Sequence, residues 1–177
     1  MREIFCGLTE AMNSAYYSDK IPQYWKDIKE GRRSLLNFAT IRRYFLEDIE
    51  LYGVKNVFAH NASFDVKALN NTIRYLTKSK HRWFFPFGVT IWDTLKMARQ
   101  TIAKQRSYQI YCIKNNYLTK HKKPRVRLTA EILYRYLTGD ENFVESHTGL
   151  EDVLIETKIM AHCFKQHKPM EKRLYPN

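Results

Sequence analysis

The stretch VKNVFAHNASFDVKALN, residues 54–70, decides the reading of the fold. Val54, Val57, Phe58 and Ala59 make a short apolar run of strand length. The pattern breaks at His60-Asn61, and a helix is expected from Ser63 to Leu76, with Asp65 in its first turn. A carboxylate placed where a buried strand runs into a helix lies at the carboxyl edge of a sheet, where open α/β sheets bind ligands. A second stretch of this kind, SHTGLEDVLIE at residues 146–156, puts His147 just ahead of a helix and Asp152 in its first turn.

Upstream of the first stretch, residues 3–8 (EIFCGL) are apolar enough for a strand. Ser18-Asp19-Lys20 reads as a turn and Ile21-Pro22 as an extended break. Gly31 to Ser34 reads as a loop closed by a helix cap. Leu35, Phe38, Ile41, Phe45, Ile49 and Tyr52 fall at helical spacing, with Gly53 as a C-terminal stop. Downstream, residues 88–92 (GVTIW) predict a strand that ends at Asp93-Thr94, with Asp93 capping the next helix. Strand, helix, strand and helix in this order imply parallel pairing and an α/β fold. Further helices are expected over residues 107–116 and 129–138, and over a long final element, residues 150–167. In that last helix Val153, Ile155, Ile159, Met160 and Cys163 form the apolar face.

At 177 residues, 44% of them hydrophobic and 14% aromatic, the chain has the makings of one packed domain rather than a disordered segment. Thirty Lys and Arg against eighteen acids leave a net charge of +12, which favours a polyanionic partner. Nucleic acid is the first candidate and an anionic membrane surface the second. Two basic runs stand out: Lys78, Lys80, His81 and Arg82 beside Trp83, and residues 120–127 (KHKKPRVR) with Lys122, Lys123 and Arg125. Cations neutralise phosphates and aromatics stack on bases, though either run alone is equally a solvated loop. Cys6, Cys112 and Cys163 are odd in number and widely spaced, as expected of reduced thiols in a cytoplasmic protein. No signal peptide or membrane span is read.

The sharper chemistry lies in His147-x-x-x-x-Asp152. A carboxylate there can hold magnesium or manganese, and an imidazole titrating near neutrality can take a proton from a metal-bound water. Each acid also has a plain reading, since Asp near a helix start is favoured by the helix dipole.

Asn61-Ala62-Ser63-Phe64-Asp65 resembles the second motif, Asn-x-x-Phe/Tyr-Asp, of the DnaQ-like 3′–5′ exonucleases of RNase H fold. Residues 147–152 resemble the third motif of the subgroup named for three Asp, one Glu and one His. The similarity runs over residues 54–166, about two-thirds of the chain. It implies an RNase H-like α/β fold, a mixed sheet flanked by helices. It implies metal-dependent removal of nucleoside monophosphates from single-stranded DNA or RNA ends, alone or beside a polymerase. It assigns Asp65 and Asp152 to a two-metal magnesium or manganese site and His147 to the general base. Asn61 and Phe64 would shape the pocket at the substrate's 3′ end. Phe64 is more commonly a core residue, and Asn61 a residue that bonds the turn.

The first motif of that family, Asp-x-Glu on the central strand, has no counterpart. Asp48-Ile49-Glu50 has the spacing but falls within an expected helix, where residues two apart do not share a face. Glu10 is the nearest substitute. Three expectations follow: an N-terminally truncated or split domain completed by another chain, a remnant that binds nucleic acid without cutting, or residues 2–10 filling the central slot.

Overall fold

A computed structural model of the chain describes residues 18–77, 82–146 and 149–175. The chain divides into two compact units, residues 1–54 and 55–177.

In the first unit a 3-10 turn, Ser18–Lys20, leads into helix α1, Ile21–Lys29. Pro22 does not break the chain as its sequence suggests. It occupies the first turn of α1, where a missing N–H costs nothing because no helical acceptor exists for it. Asp27 receives the Arg32 guanidinium at 2.7 Å and so ties down the loop that follows. Helix α2, Phe38–Leu51, starts later than its apolar spacing suggests, because Asn37, not Ser34, is the cap, its side chain accepting the Thr40 N–H at 2.8 Å. Gly53, at φ 57°, ends the helix in the left-handed conformation that glycine adopts without penalty.

The second unit is α/β. Strand β1, Asn56–Ala59, pairs in parallel with β2, Thr90–Asp93, and helix α3, Ala62–Leu76, makes the crossover. The register sets Asn56 against Thr90 and Ala59 against Asp93, so both strands end level. The far side of β2 is joined by an antiparallel bridge to Arg173. There the Leu174 N–H donates to Ile91 O at 2.8 Å, and the Asp93 N–H donates to Lys172 O at 2.9 Å. Among the described residues no strand lies on the other side of β1. Residues 2–10, with Glu10, fall outside the described residues.

The helices after β2 build the core. They are α4, Thr94–Gln100, α5, Arg106–Lys114, α6, Ala130–Thr138, and α7, Gly149–Lys165. Met97, Ile102, Tyr108, Leu133, Ile155 and Ile159 are its largest wholly buried members. On α7 the buried positions Ile155, Ile159 and Cys163 recur every fourth residue. Val153 lies off that stripe and half-exposed, a correction to the apolar face read from sequence. Between α5 and α6 the basic run folds back on itself. Leu118 bridges Val126 antiparallel, and the Arg127 N–H reaches Tyr117 O at 2.9 Å.

The strand ends are held together by one side chain. Asp93 is buried, and its Oδ1 accepts the N–H groups of Leu95 at 3.0 Å, Lys96 at 3.3 Å and Asn61 at 3.2 Å. The first two cap α4, as the sequence indicates. The third belongs to the other strand, so one carboxylate fixes both strand-to-helix turns. Asp93→Ala is expected to cost about 2–3 kcal/mol, since a cap and a part-buried amide both lose their acceptor. Asp93→Asn, which keeps an acceptor oxygen, should cost less, and urea unfolding followed by circular dichroism measures both.

Candidate functional site

The two turns open onto a cavity of about 950 Å³ at the carboxyl edge of the strands. That is within the upper range of small-ligand sites. His60 and Asn61 contribute to its lining from the β1–α3 turn, and Asp152 and Glu156 from α7. Glu145, whose N–H is held by the Glu131 carboxylate at 3.2 Å, adds a third acid. The remaining charge is of opposite sign: Arg99 from α4, and Arg125 and Arg127 from the folded-back basic run.

Asn61 sits at φ 66°, in the left-handed region that asparagine tolerates better than most residues. This conformation turns its N–H toward Asp93 while its side-chain oxygen accepts the Ser63 hydroxyl at 3.1 Å. It makes no side-chain bond that caps α3. His60 is fixed at both ring nitrogens. Nε2 faces the Leu128 carbonyl at 2.7 Å, so it carries the proton, and Nδ1 accepts from the Thr94 hydroxyl at 3.0 Å. Burial lowers the His60 pKa from its ordinary value, against the pull of the Leu128 carbonyl and of Asp93. The imidazole is therefore neutral and structural, bracing the turn that carries Asn61.

The acids share one electrostatic field. Burial raises the Asp65 pKa, and Asp93 adds to the effect. Burial also pushes Glu156 up to about 7, with Asp65, Asp152 and Glu145 each adding repulsion. The His60 main-chain N–H, a hydrogen-bond donor to Glu156, works the other way. Asp65 and Asp152, distant in sequence, thus both act on Glu156. Glu156 lies one helical turn beyond Asp152 on the same face of α7, a spacing present in the sequence but not singled out there. Their oxygens are the hard donors that magnesium and manganese prefer. Among the described residues, no three His, Cys, Asp or Glu side chains close around a common point to form a metal shell.

The other sequence candidates fall in different places. His147 lies outside the described residues. Phe64, weighed above as core, is 69% exposed next to Asp65 and free to meet a ligand. Arg125 lines the cavity, whereas Lys122 and Lys123 are exposed at the tip of the basic run and do not. Cys112 and Cys163 are buried free thiols. Among the described residues no helix is long and apolar enough to cross a membrane. Comparison of the chain with protein-family models, curated proteins and solved structures gives no match.

The raised pKa of Glu156 has a definite sign for stability. Between 4.5, its unperturbed value, and about 7, the native state keeps a proton that the unfolded chain has lost. Stability from this group therefore falls as pH rises through that window. Glu156→Gln, measured in EDTA, is expected to be more stable than wild type at pH 8 by roughly 1–2 kcal/mol after allowance for solvent screening. At pH 4 the two should unfold alike. An equal advantage at both pH values would mean that charge is not the cause.

Proposed function

We propose that the chain is a metal-dependent 3′–5′ exonuclease acting on single-stranded DNA or RNA ends and releasing nucleoside monophosphates, on an RNase H-like fold. One observation carries this reading: acids and arginines line a single cavity at the level ends of two parallel strands. A phosphodiester substrate needs both, since its phosphates call for cations and its hydrolysis for carboxylates that hold metal. Asp65, Asp152 and Glu156 are the side chains that would hold magnesium or manganese, which would supply positive charge to the attacking and leaving oxygens. Arg99, Arg125 and Arg127 hold the backbone phosphates. Phe64, exposed beside Asp65 though outside the cavity lining, would stack on the terminal base, with Asn61 in the lining itself. Lys122 and Lys123 extend the phosphate track beyond the cavity. His147, two residues ahead of Gly149 in sequence, would take the proton of the attacking water.

A second reading is a module of the same fold that binds nucleic acid without cutting it. The unclosed acid cluster and the missing Asp-x-Glu motif favour it. A chain supplying a strand with those ligands beside β1 would restore the first.

A labelled single strand incubated with Mn²⁺ separates the two. The exonuclease reading expects a ladder shortening from the 3′ end, and a loss of roughly a hundredfold or more in Asp65→Ala, Asp152→Ala protein. Salt-dependent binding with no cleavage would favour the second reading. Full activity in the double variant would remove these acids from the mechanism. In a titration against salt, Arg125→Ala and Arg127→Ala should each lower the slope of log affinity by about one phosphate contact.

A further inference from the structure

The other end of β2 carries a surface that the cavity does not use. Residues 82–89 enter β2 at its amino edge, and two of their aromatic rings are turned inward. Phe84 and Phe85 are buried, and the Phe84 N–H is tied to the Asn70 side chain of α3 at 2.9 Å. Trp83 is half-exposed, and Phe87 is 108% exposed, more open than in an extended peptide. Phe87 is held there by a tight turn, in which the Val89 N–H reaches Pro86 O at 3.4 Å and Gly88 takes φ 85°. A turn with Pro86 first and a left-handed residue third favours glycine in that place, so the sequence Pro-Phe-Gly directs the Phe87 side chain away from the core. Tyr175 joins the cluster from the segment paired along β2, with its ring 6.0 Å from that of Trp83.

Folding does not account for a fully exposed phenyl ring on the same approach to β2 as the exposed Trp83–Tyr175 pair. The surrounding charge indicates what would cover them. Arg82, exposed, directly precedes Trp83, and Arg173 is exposed two residues before Tyr175. Rings that accept any flat partner, flanked along the chain by exposed arginines, match the bases and phosphates of a single strand better than a protein surface. We propose that Phe87, Trp83 and Tyr175 form a second contact for single-stranded nucleic acid, stacking on its bases at the edge of the sheet opposite the cavity. Thr90 to Asp93 separates the two by roughly 10 Å of strand, a span that one oligonucleotide can bridge. The surface stands whether or not the cavity cleaves.

The test uses the full chain in EDTA with a fluorescent twenty-nucleotide oligothymidylate and an abasic strand of equal length. Phe87→Ala removes an exposed ring without touching the core, and an unchanged melting temperature verifies that. It should weaken oligothymidylate binding about tenfold, leave the abasic strand within twofold, and leave the salt slope unchanged. Phe87→Trp should restore binding. Equal affinity in Phe87→Ala, equal loss on both strands, or no binding by the wild type at low salt would each overturn the proposal. Cleavage in Mn²⁺ is read separately, so its absence bears on the cavity alone.

Discussion

The second unit depends on a single carboxylate that caps one helix and holds the turn before another. A parallel pair of strands ends with bare amides at each following turn, and these need acceptors away from water. Asp93 supplies them for α4 and, across the sheet, for Asn61. The two turns are thereby locked at one level, and the cavity they border inherits a fixed rim. His60 braces the same rim from the other side, bridging Thr94 at the start of α4 and Leu128 ahead of α6. Three segments far apart in sequence thus meet through two polar side chains, while the apolar helices behind them hold the frame.

The cavity combines tendencies that oppose one another in the absence of a ligand. Asp152 and, from outside the lining, Asp65 both repel Glu156, and burial makes the charges of Asp65 and Glu156 costlier. Arg99, Arg125 and Arg127 line the same space and are exposed to solvent. Such a lining suits an occupant with positive charge for the acids and negative charge for the arginines, as the phosphodiester and metal proposed above would bring.

Much of this was legible beforehand, for identifiable reasons. The crossover β1–α3–β2 could be read because a short apolar run, a polar break and helical spacing are local signals. The Asp93 cap was legible too, since caps act over a few residues. Its second role was not, because the Asn61 N–H is 32 positions away. Pro22 was misread as a break because proline's penalty depends on helical position, which the sequence alone left open. Phe64 was weighed toward the core on the usual habit of phenylalanine, but the helix turns it outward from a stripe formed by Ala62, Val66 and Ile73. Glu156 stands four residues after Asp152, a spacing that by itself marks only a shared helix face. It gains meaning only once Asp65 is seen to act on it from another helix.

The segment around Arg173 carries more than its position suggests. Its hydrogen bonds occupy Ile91 O and the main-chain N–H of Asp93 itself. The residue that aligns both turns is thus clamped from behind by a stretch joined some eighty positions later. A protease nick or an internal label placed between α7 and Leu174 would therefore slacken the pocket mouth from a distance. A reporter group attached ahead of Lys172 would sense occupancy of the cavity without lining it.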